Sequence, residues 1–442
     1  MQALTAWRRI ACVFLPFAAG YYLSYVFRTI NALIGGQLSS DIGLETADLG
    51  LLTSVYFLVF AAVQIPIGIS LDRFGPRRIQ SVLLLVAAAG AALFAVATGF
   101  LSLLIARAML GLGVAAALMA GLKSIVLWFP KERVALLNGY MIMLGSLGAV
   151  TATAPAEYLL RWMTWRQLFE ILAFATGATA ILIYVVVPER IMGRSTIRNT
   201  LSSVLGDRRF WRISPLSATC VGSAWSLQGL WASPWLTDVE RFDHPRLVGQ
   251  LFTMSIVLCG GAWSFGTLVH CIRQRRAGVE IIVAAIAGLF IAAQLSLILR
   301  LPLPSILPWS VIAIAGTATV VSFAAIAEYF PPELTGRANG ALNVLHFGWA
   351  FVSQCGTGLI LQQWPVVDGH RTVFAYQVAF GLNLVVQIAA FVWFALPWLG
   401  SFGRWMGSSP LRLPASVSDA VETFMPCEQL LVVMPANTDS EW

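Results

Sequence analysis

The sequence predicts an all-α membrane protein whose twelve transmembrane helices form two pseudo-symmetric six-helix bundles. Three observations predict this class: the composition, the length of the apolar runs and a pair of repeated motifs. Of the 442 residues, 58% are apolar and only 11% are charged, whereas soluble domains carry about 25% charged residues. A helix that crosses a bilayer needs about 20 mainly apolar residues, and most of this chain consists of such runs.

Twelve apolar segments, called spans 1 to 12 in chain order, are long enough to cross a bilayer. They cover residues 10–34, 49–71, 79–98, 101–128, 134–156, 167–187, 214–237, 247–270, 279–299, 304–327, 338–362 and 373–397. The polar connector 188–213 divides them six and six. We therefore expect an N-terminal half (1–187), a cytoplasmic linker (188–213), a C-terminal half (214–399) and a cytoplasmic tail (400–442).

Basic residues predict the orientation of the spans. With a cytoplasmic N-terminus, 19 of the 28 Lys and Arg residues lie in cytoplasmic segments, six lie in the opposite loops and three lie inside spans. Because positive residues concentrate on the cytoplasmic side, we expect both termini there, in the inner membrane of a bacterium. Span 1 is too long for a signal-peptide core and is predicted to stay uncleaved. The net charge of +7 follows from this bias, so no nucleic-acid partner is expected.

The sequence shows no pattern for catalysis, a metal or a cofactor. Its six cysteines include no C-x-x-C pair, which argues against a zinc site or a disulfide framework. Met141 and Met143 do not share a helix face, so they form no copper pair. Neither a nucleophile elbow nor a P-loop is present. We therefore expect no enzyme activity, no metal and no cofactor.

Two motifs recur at nearly the same separation. GISLDRFGPRR (68–78) aligns with GTLVHCIRQRR (266–276) at an offset of 198, and FPKERVALLNG (129–139) aligns with FPPELTGRANG (330–340) at an offset of 201. Such parallel repeats, related by an axis along the membrane normal, place a substrate site near the midplane between the halves.

The loop between spans 2 and 3 combines glycines, an acid and three arginines. These residues are Gly68, Asp72, Arg73, Gly75, Arg77 and Arg78. The pattern resembles the signature loop of the major facilitator superfamily, and Arg107 with Gly111 and Gly113 is similar to that family's second motif. The resemblance implies alternating access, with spans 1, 4, 7 and 10 around a cavity and this loop as a gating latch. A basic loop that only fixes topology is the alternative.

Two details of the loop and of span 5 refine this expectation. Gly68 has no side chain, so span 2 can approach a partner helix closely there. Span 5 has Ala154 before Pro155, where the antiporter signature of the family has a glycine. This difference argues against the drug/proton antiporter branch.

Span 1 carries the leading candidate for a substrate site. Tyr21, Tyr25, Arg28 and Asn31 recur at spacings of three and four, so they share one helix face. A charge inside a span is costly and is by default functional. The segment resembles span 1 of the organophosphate and organic anion branch, where an arginine at this place binds the substrate anion. The alternative is a structural arginine bonded to carbonyls or to an acid on another helix.

Span 7 presents the equivalent face of the second half. It carries Trp225, Gln228 and Trp231, and Gln228 stands at the position that matches Arg28. The organophosphate branch is expected to have a second arginine on span 7, whereas this chain has Gln228 at the matching position. One cation facing indoles suits an organic anion with an apolar or aromatic body. The alternative role of the tryptophans is packing or interfacial anchoring.

Other charged residues are weaker candidates. Arg107 and Lys123 point to nearly opposite faces of span 4, so Arg107 is the candidate for binding or coupling and Lys123 can snorkel. No Asp or Glu lies in the middle of a span. Glu157 is predicted to pair locally with Arg161. Glu157 and His346 remain candidates for a proton site, and a packing role for His346 is the alternative.

These observations predict a monomeric secondary transporter in a lipid bilayer that moves a small organic anion, alone or with a co-transported or exchanged ion. An exporter of amphiphilic compounds or drugs is one alternative. A transporter-like membrane sensor is another.

Overall fold

A computed structural model describes residues 6–189, 201–274, 279–330, 332–367 and 369–406. Residues Met1–Phe394 form one compact unit, which holds every contact discussed below. Ala395–Trp442 are a second unit, described only through the helix that ends at Met406. Part of the predicted linker (190–200), the end of the second loop motif (275–276) and most of the predicted tail (407–442) lie outside the described residues. The division at 188–213 stays a prediction.

The described chain is helical apart from one short hairpin. The helices are Ala6–Arg9, the π-helix Ile10–Phe14, Leu15–Thr29, Asn31–Ile42, Thr46–Phe74, Pro76–Val96, Phe100–Val114, Ala117–Trp128, Lys131–Thr151, Ala154–Leu160, Trp165–Val186, Leu201–Leu205, Arg208–Ser226, the π-helix Leu227–Trp231, Ala232–Asp238, His244–Gln274, Val279–Ile298, Ile306–Ala315, Thr319–Tyr329, Pro332–Gln362 and Val373–Met406. Strands Val366–Val367 and His370–Arg371 pair antiparallel between spans 11 and 12.

Ten of the described helical segments are long and apolar enough to cross a membrane, and they correspond to spans 1–6 and 9–12. Spans 7 and 8 are helical too, and span 8 is a continuous helix of 31 residues, His244–Gln274. Span 7 is less apolar because protein surrounds it, and the buried hydroxyls of Ser214, Ser217 and Ser223 bond inside the protein. A span that does not face lipid can carry polar side chains.

The helix of span 7 begins at Arg208, earlier than the predicted residue 214. Asp207 caps it, because its carboxylate accepts the backbone N–H of Arg209 at 2.8 Å. The Arg209 side chain also bonds this carboxylate, which holds the pKa of Asp207 below its ordinary value. The polar linker therefore already contains the first turns of the next helix.

The helices of spans 1, 4, 7 and 10 are each interrupted by irregular backbone. Span 1 breaks at Ile30, span 4 at residues 115–116 and span 10 at residues 316–318, while span 7 contains the π-helix Leu227–Trp231. The first break residues of spans 4 and 10, Ala115 and Gly316, are 201 residues apart, the same separation as the second pair of motifs. The repeat is therefore visible in the backbone as well as in the sequence.

At two of these breaks, a side chain from another span donates a hydrogen bond to the free carbonyl. Gln64 Nε2 donates to the Ala115 carbonyl at 3.3 Å, and Trp225 Nε1 donates to the Gly316 carbonyl at 2.8 Å. Irregular backbone at membrane depth is tolerated where protein buries it or where it lines a cavity. Ala115 and Gly316 are both buried, and Ala115 also borders a cavity between the halves.

Two glycines allow close helix packing in the N-terminal half. A Cβ on Gly148 would lie 2.2 Å from the Tyr22 carbonyl oxygen, and a Cβ on Gly113 would lie 2.4 Å from the Ala87 nitrogen. Span 5 therefore rests directly on span 1, and span 4 rests on span 3.

Candidate functional site

A cavity of about 270 Å³ lies between the two halves. Residues of spans 1, 2, 4, 7, 10 and 11 line it. They are Tyr21, Ser24, Tyr25, Arg28, Tyr56, Phe60, Gln64, Val114, Ala115, Leu118, Met119, Leu122, Trp225, Thr319, Phe323, Asn339, Gly340, Asn343 and Phe347. Arg28 is the only charged side chain among these described lining residues, so the wall carries one positive charge and no compensating carboxylate.

Arg28 is held by two aromatic rings. Its Cζ lies 4.0 Å from the centroid of the Tyr25 ring and 4.9 Å from the centroid of the Trp225 ring. No described residue forms a hydrogen bond or an ion pair with its guanidinium. Cation–π contacts use the face of the guanidinium, whereas its N–H donors lie in its plane and match a carboxylate or sulfonate. Arg28 is therefore positioned with its donors available to an anion.

Trp225 joins this cation to the C-terminal half. Its indole N–H is fixed by the Gly316 carbonyl at the break of span 10, and its ring packs on Phe347 with a centroid separation of 4.6 Å. Tyr21 completes this part of the wall by an edge contact with Tyr25, at 5.2 Å between centroids. The structure thus brings together four of the predicted site residues.

Amide side chains form a second polar part of the wall, which the sequence analysis missed. Asn343 Nδ2 donates to Gln64 Oε1 at 3.2 Å, and Asn339 lies one helical turn before Asn343. Gln64 is a polar residue inside an apolar span, and such residues are commonly functional. Asn339 belongs to the repeated motif 330–340. Both signals were present in the sequence.

Asn31, Gln228 and Trp231 do not line the cavity. Asn31 and Gln228 are buried elsewhere in the protein, and Trp231 Nε1 donates to the Gln354 carbonyl at 3.2 Å. The physical reason is the backbone irregularity of spans 1 and 7. Asn31 follows the break at Ile30, while the other two residues lie in the π-helix Leu227–Trp231, whose i→i+5 bonding changes the face that a residue presents.

Arg107 also lies away from the cavity wall. Its guanidinium is fully buried and donates to the Phe27 carbonyl at 3.1 Å, with Tyr56 and Phe94 rings at 5.8 and 5.7 Å from its Cζ. It therefore ties span 4 to span 1 beside Arg28. Lys123, near the end of span 4, donates to the Leu71 carbonyl at 2.8 Å.

Two arginines of the signature loop hold the end of span 6. Arg77 Nε donates to the Tyr184 carbonyl at 2.8 Å, and Arg78 pairs with Glu189 at 2.7 Å. The guanidinium carbon of Arg73 lies 5.0 Å from the centroid of the ring of its neighbour Phe74.

The glycines and the acid of the loop are not part of these contacts with the end of span 6. Gly75 has a positive φ of 81° at the junction of spans 2 and 3. The side chain of Asp72 lies outside the described ones. A Cβ on Gly68 would meet nothing within 4 Å, so the predicted close approach at this residue is not made in this conformation.

Spans 2 and 11 run antiparallel and join the halves along a row of pairs. Glu45 bonds Gln362, Thr53 Oγ1 accepts from Gln354 Nε2 at 2.6 Å, and Gln64 bonds Asn343. Between them, a Cβ on Gly50 would lie 3.2 Å from the Gly358 Cα. The end of the cavity on the Glu45 side is therefore closed by direct contact.

Glu157 takes part in another contact between the halves. Its carboxylate lies 2.8 Å from His244 Nε2, so the prediction of a local Glu157–Arg161 pair is wrong. The tertiary fold places the start of span 8 beside the end of span 5, and a helix-surface rule that considers only one helix cannot anticipate this partner.

Two related helical halves around a central cavity define a class: polytopic α-helical membrane proteins built from parallel repeats. Residues 17–354 match the model of the Major Facilitator Superfamily, and the chain belongs to this family. The predicted fold class is confirmed.

Two bacterial transporters match parts of the chain. It is 26% identical over 162 residues to the probable sulfoacetate transporter of Cupriavidus necator, covering 36% of this chain and 38% of the relative. It is 24% identical over 299 residues to the hexuronate transporter of Escherichia coli, covering 63% and 68%. The chain thus spans well under half of the first relative.

Among solved structures, the chain is similar to a bacterial homolog of the human lysosomal transporter Spinster in its inward-facing and occupied conformation. The TM-score is 0.70 at 18% identity, with 89% of this chain and 97% of the other covered. This likeness concerns the fold alone.

Proposed function

We propose that the protein is a secondary active transporter that moves a small organic anion across the membrane by alternating access. The observation that carries the proposal is the Arg28 guanidinium, which stacks between Tyr25 and Trp225 with its N–H donors unused by the described residues. Arg28 is half-buried inside the protein, and a charge withdrawn from water is costly without a partner, so an anionic substrate is the natural counter-charge. The aromatic rings suit the apolar part of such a substrate.

Further parts of the proposal concern the setting of this site. The protein lies in the inner membrane of a bacterium as a monomer, with both termini in the cytoplasm. The loop 68–78 acts as the latch between conformations. The names of the two relatives fit the anion, because sulfoacetate carries a sulfonate and a carboxylate, and a hexuronate carries a carboxylate.

A binding experiment tests the anion directly. Purified protein is heated in detergent with D-glucuronate, sulfoacetate or D-glucose, the last being the neutral analogue of glucuronate. We expect glucuronate or sulfoacetate, and not glucose, to raise the melting temperature, and Arg28→Gln to abolish the shift. Arg161→Gln is the matched control, because Arg161 is exposed. Equal shifts in wild type and Arg28→Gln would contradict the proposal.

Counterflow in proteoliposomes tests transport itself. Vesicles loaded with unlabelled glucuronate or sulfoacetate should take up the labelled compound. A sensor would bind the anion without counterflow. An exporter of amphiphilic compounds would still move neutral amphiphiles after Arg28→Ala.

A further inference from the structure

The cavity wall is electrically asymmetric. Arg28 stands between the Tyr25 and Trp225 rings and is the only charged residue among the described lining residues. Three amide side chains form another polar part of the wall, called the amide end: Gln64, Asn339 and Asn343. A ligand that spans the cavity therefore meets one full positive charge and, apart from it, only neutral groups.

The amide end lies beyond the aromatic rings that flank Arg28. Trp225 packs on Phe347, and Phe347 stacks on Phe60 of span 2 at 3.8 Å between ring centroids. Gln64 follows Phe60 by four residues, and Asn343 precedes Phe347 by four. Because spans 2 and 11 run antiparallel, both amides lie one helical turn, about 6 Å, farther from the closed Glu45 end. The guanidinium and the amides can thus contact different parts of one small molecule.

The backbone fixes the orientation of the Gln64 amide. Its Nε2 donates to the Ala115 carbonyl at 3.3 Å, and a carbonyl oxygen can only accept. The atom that faces Asn343 is therefore Gln64 Oε1, which lies 3.2 Å from Asn343 Nδ2. Because Oε1 also can only accept, the Asn343 amide has to turn its NH2 group toward Gln64.

Asn343 consequently offers an acceptor to a ligand. Its NH2 group is turned to Gln64, and no described residue forms a hydrogen bond with its Oδ1. An ionised carboxylate has acceptors only, so a carboxylate placed here would face the Asn343 oxygen. A hydroxyl group, which has a proton to donate, suits the same position.

No second cation among the described lining residues can compensate a second negative charge. The position of span 7 that matches Arg28 carries the neutral Gln228, which lies outside the wall. Arg107 is fully buried and bonded to a carbonyl of span 1, and Lys123 is bonded to a carbonyl of span 2. Neither of these basic side chains lines the cavity. The Asn339 amide is neutral whichever way it turns.

We propose that the cavity selects anions that carry one negative charge and a neutral far end, such as a monocarboxylate that ends in a hydroxyl group, and that it rejects dianions. This proposal rests on the proposed function and deepens it by fixing the charge of the substrate. Arg28 compensates the single charge, and Asn343 determines specificity at the amide end. A second carboxylate would be withdrawn from water without a counter-charge, which is costly.

D-Gluconate and D-glucarate are a matched pair of probes. Both are open-chain hydroxy acids of the same length, and they differ only at the last carbon, where gluconate has a hydroxymethyl group and glucarate has a second carboxylate. At neutral pH both carboxylates of glucarate are ionised. Calorimetric titration of wild-type protein in detergent should show that gluconate binds about a hundredfold more tightly. Sulfoacetate, which is also a dianion, should bind as weakly as glucarate.

The variant Asn339→Lys tests the cause of this selection. Asn339 lines the amide end and forms no hydrogen bond with a described residue, and the lysine supplies the missing second cation. We expect glucarate to bind about tenfold more tightly than in wild type, so that the preference for gluconate shrinks. The control is Gln363→Lys, which adds the same charge at an exposed position just after span 11 and should leave the preference unchanged.

The possible results separate the two proposals. If none of glucuronate, gluconate, glucarate and sulfoacetate binds to wild type, the proposed function fails. If glucarate or sulfoacetate binds at least as tightly as gluconate and glucuronate, and Arg28→Gln abolishes this binding, the anion site stands and the selection for a single charge is overturned.

The comparison of probes uses wild-type protein alone, so it decides the proposal even if Asn339→Lys does not fold. If Asn339→Lys folds and keeps the wild-type preference for gluconate, the assignment of the selection to the amide end is overturned.

Discussion

Arg28 and Trp225 come from opposite halves of the chain, and the guanidinium carbon of Arg28 lies 4.9 Å from the centroid of the Trp225 ring. The ring is itself fixed by the Gly316 carbonyl. The contact therefore positions the only charged residue among the described residues of the cavity wall without using its hydrogen-bond donors. Any movement of one half against the other must change this contact.

The shape of the Arg28 side chain should matter as well as its charge. Lysine keeps the charge but lacks the planar fork that can stack on Tyr25 and Trp225 while bonding an anion. Hydrogen bonds to charged groups contribute about 1.5–3 kcal/mol. We therefore expect Arg28→Lys to weaken glucuronate binding by about tenfold to a hundredfold, measured by calorimetric titration. Unchanged affinity would show that a point charge is sufficient.

The indole N–H of Trp225 should contribute to stability. Trp225→Phe removes the donor to the Gly316 carbonyl, and a buried group left unsatisfied costs about 1–3 kcal/mol. The control is Trp309→Phe, because Trp309 is fully buried in span 10 and its Nε1 has no partner among the described residues. We expect the melting temperature to fall more for Trp225→Phe. An equal fall would assign the effect to lost ring volume.

Gly148 should tolerate no side chain. Alanine there would place a Cβ 2.2 Å from the Tyr22 carbonyl oxygen, whereas a Cβ on Gly139 of the same helix would meet nothing within 4 Å. Overpacking of this kind costs about 1–3 kcal/mol, and Gly→Ala in an open helical position stabilises by about 0.4–1 kcal/mol. Gly148→Ala should therefore lower the melting temperature, and Gly139→Ala should keep or raise it. The reverse order would contradict the packing of spans 1 and 5.

Joining spans 2 and 11 at the Glu45 end should stop transport. Glu45 and Gln362 are in direct contact, so cysteines at both positions should react with a short reducible thiol cross-linker. Counterflow of labelled glucuronate should disappear on cross-linking and return on reduction. Each single-cysteine variant, treated in the same way, is the control. Transport through a fully cross-linked protein would show that this contact need not open.

The sequence by itself predicted the membrane class, the spans and the family. A bilayer imposes a minimum apolar length on each span, and this constraint acts on every segment locally. The stacking of Tyr25 on Arg28 was equally accessible, because residues three apart share a helix face. Gln64 and Asn339 carried usable signals as well, since one is polar inside a span and the other belongs to a repeated motif.

Only the tertiary structure decided which of the candidate residues meet. Asn31, Gln228 and Trp231 follow or form backbone irregularities, so regular helical periodicity assigned them to the wrong face. Glu157 pairs with His244 in the other half of the chain. His346 bonds Ser217 of span 7, and Ser217 in turn bonds Ser322 of span 10. Such partners depend on how helices that are distant in sequence pack against one another, and no spacing within a single helix contains that information.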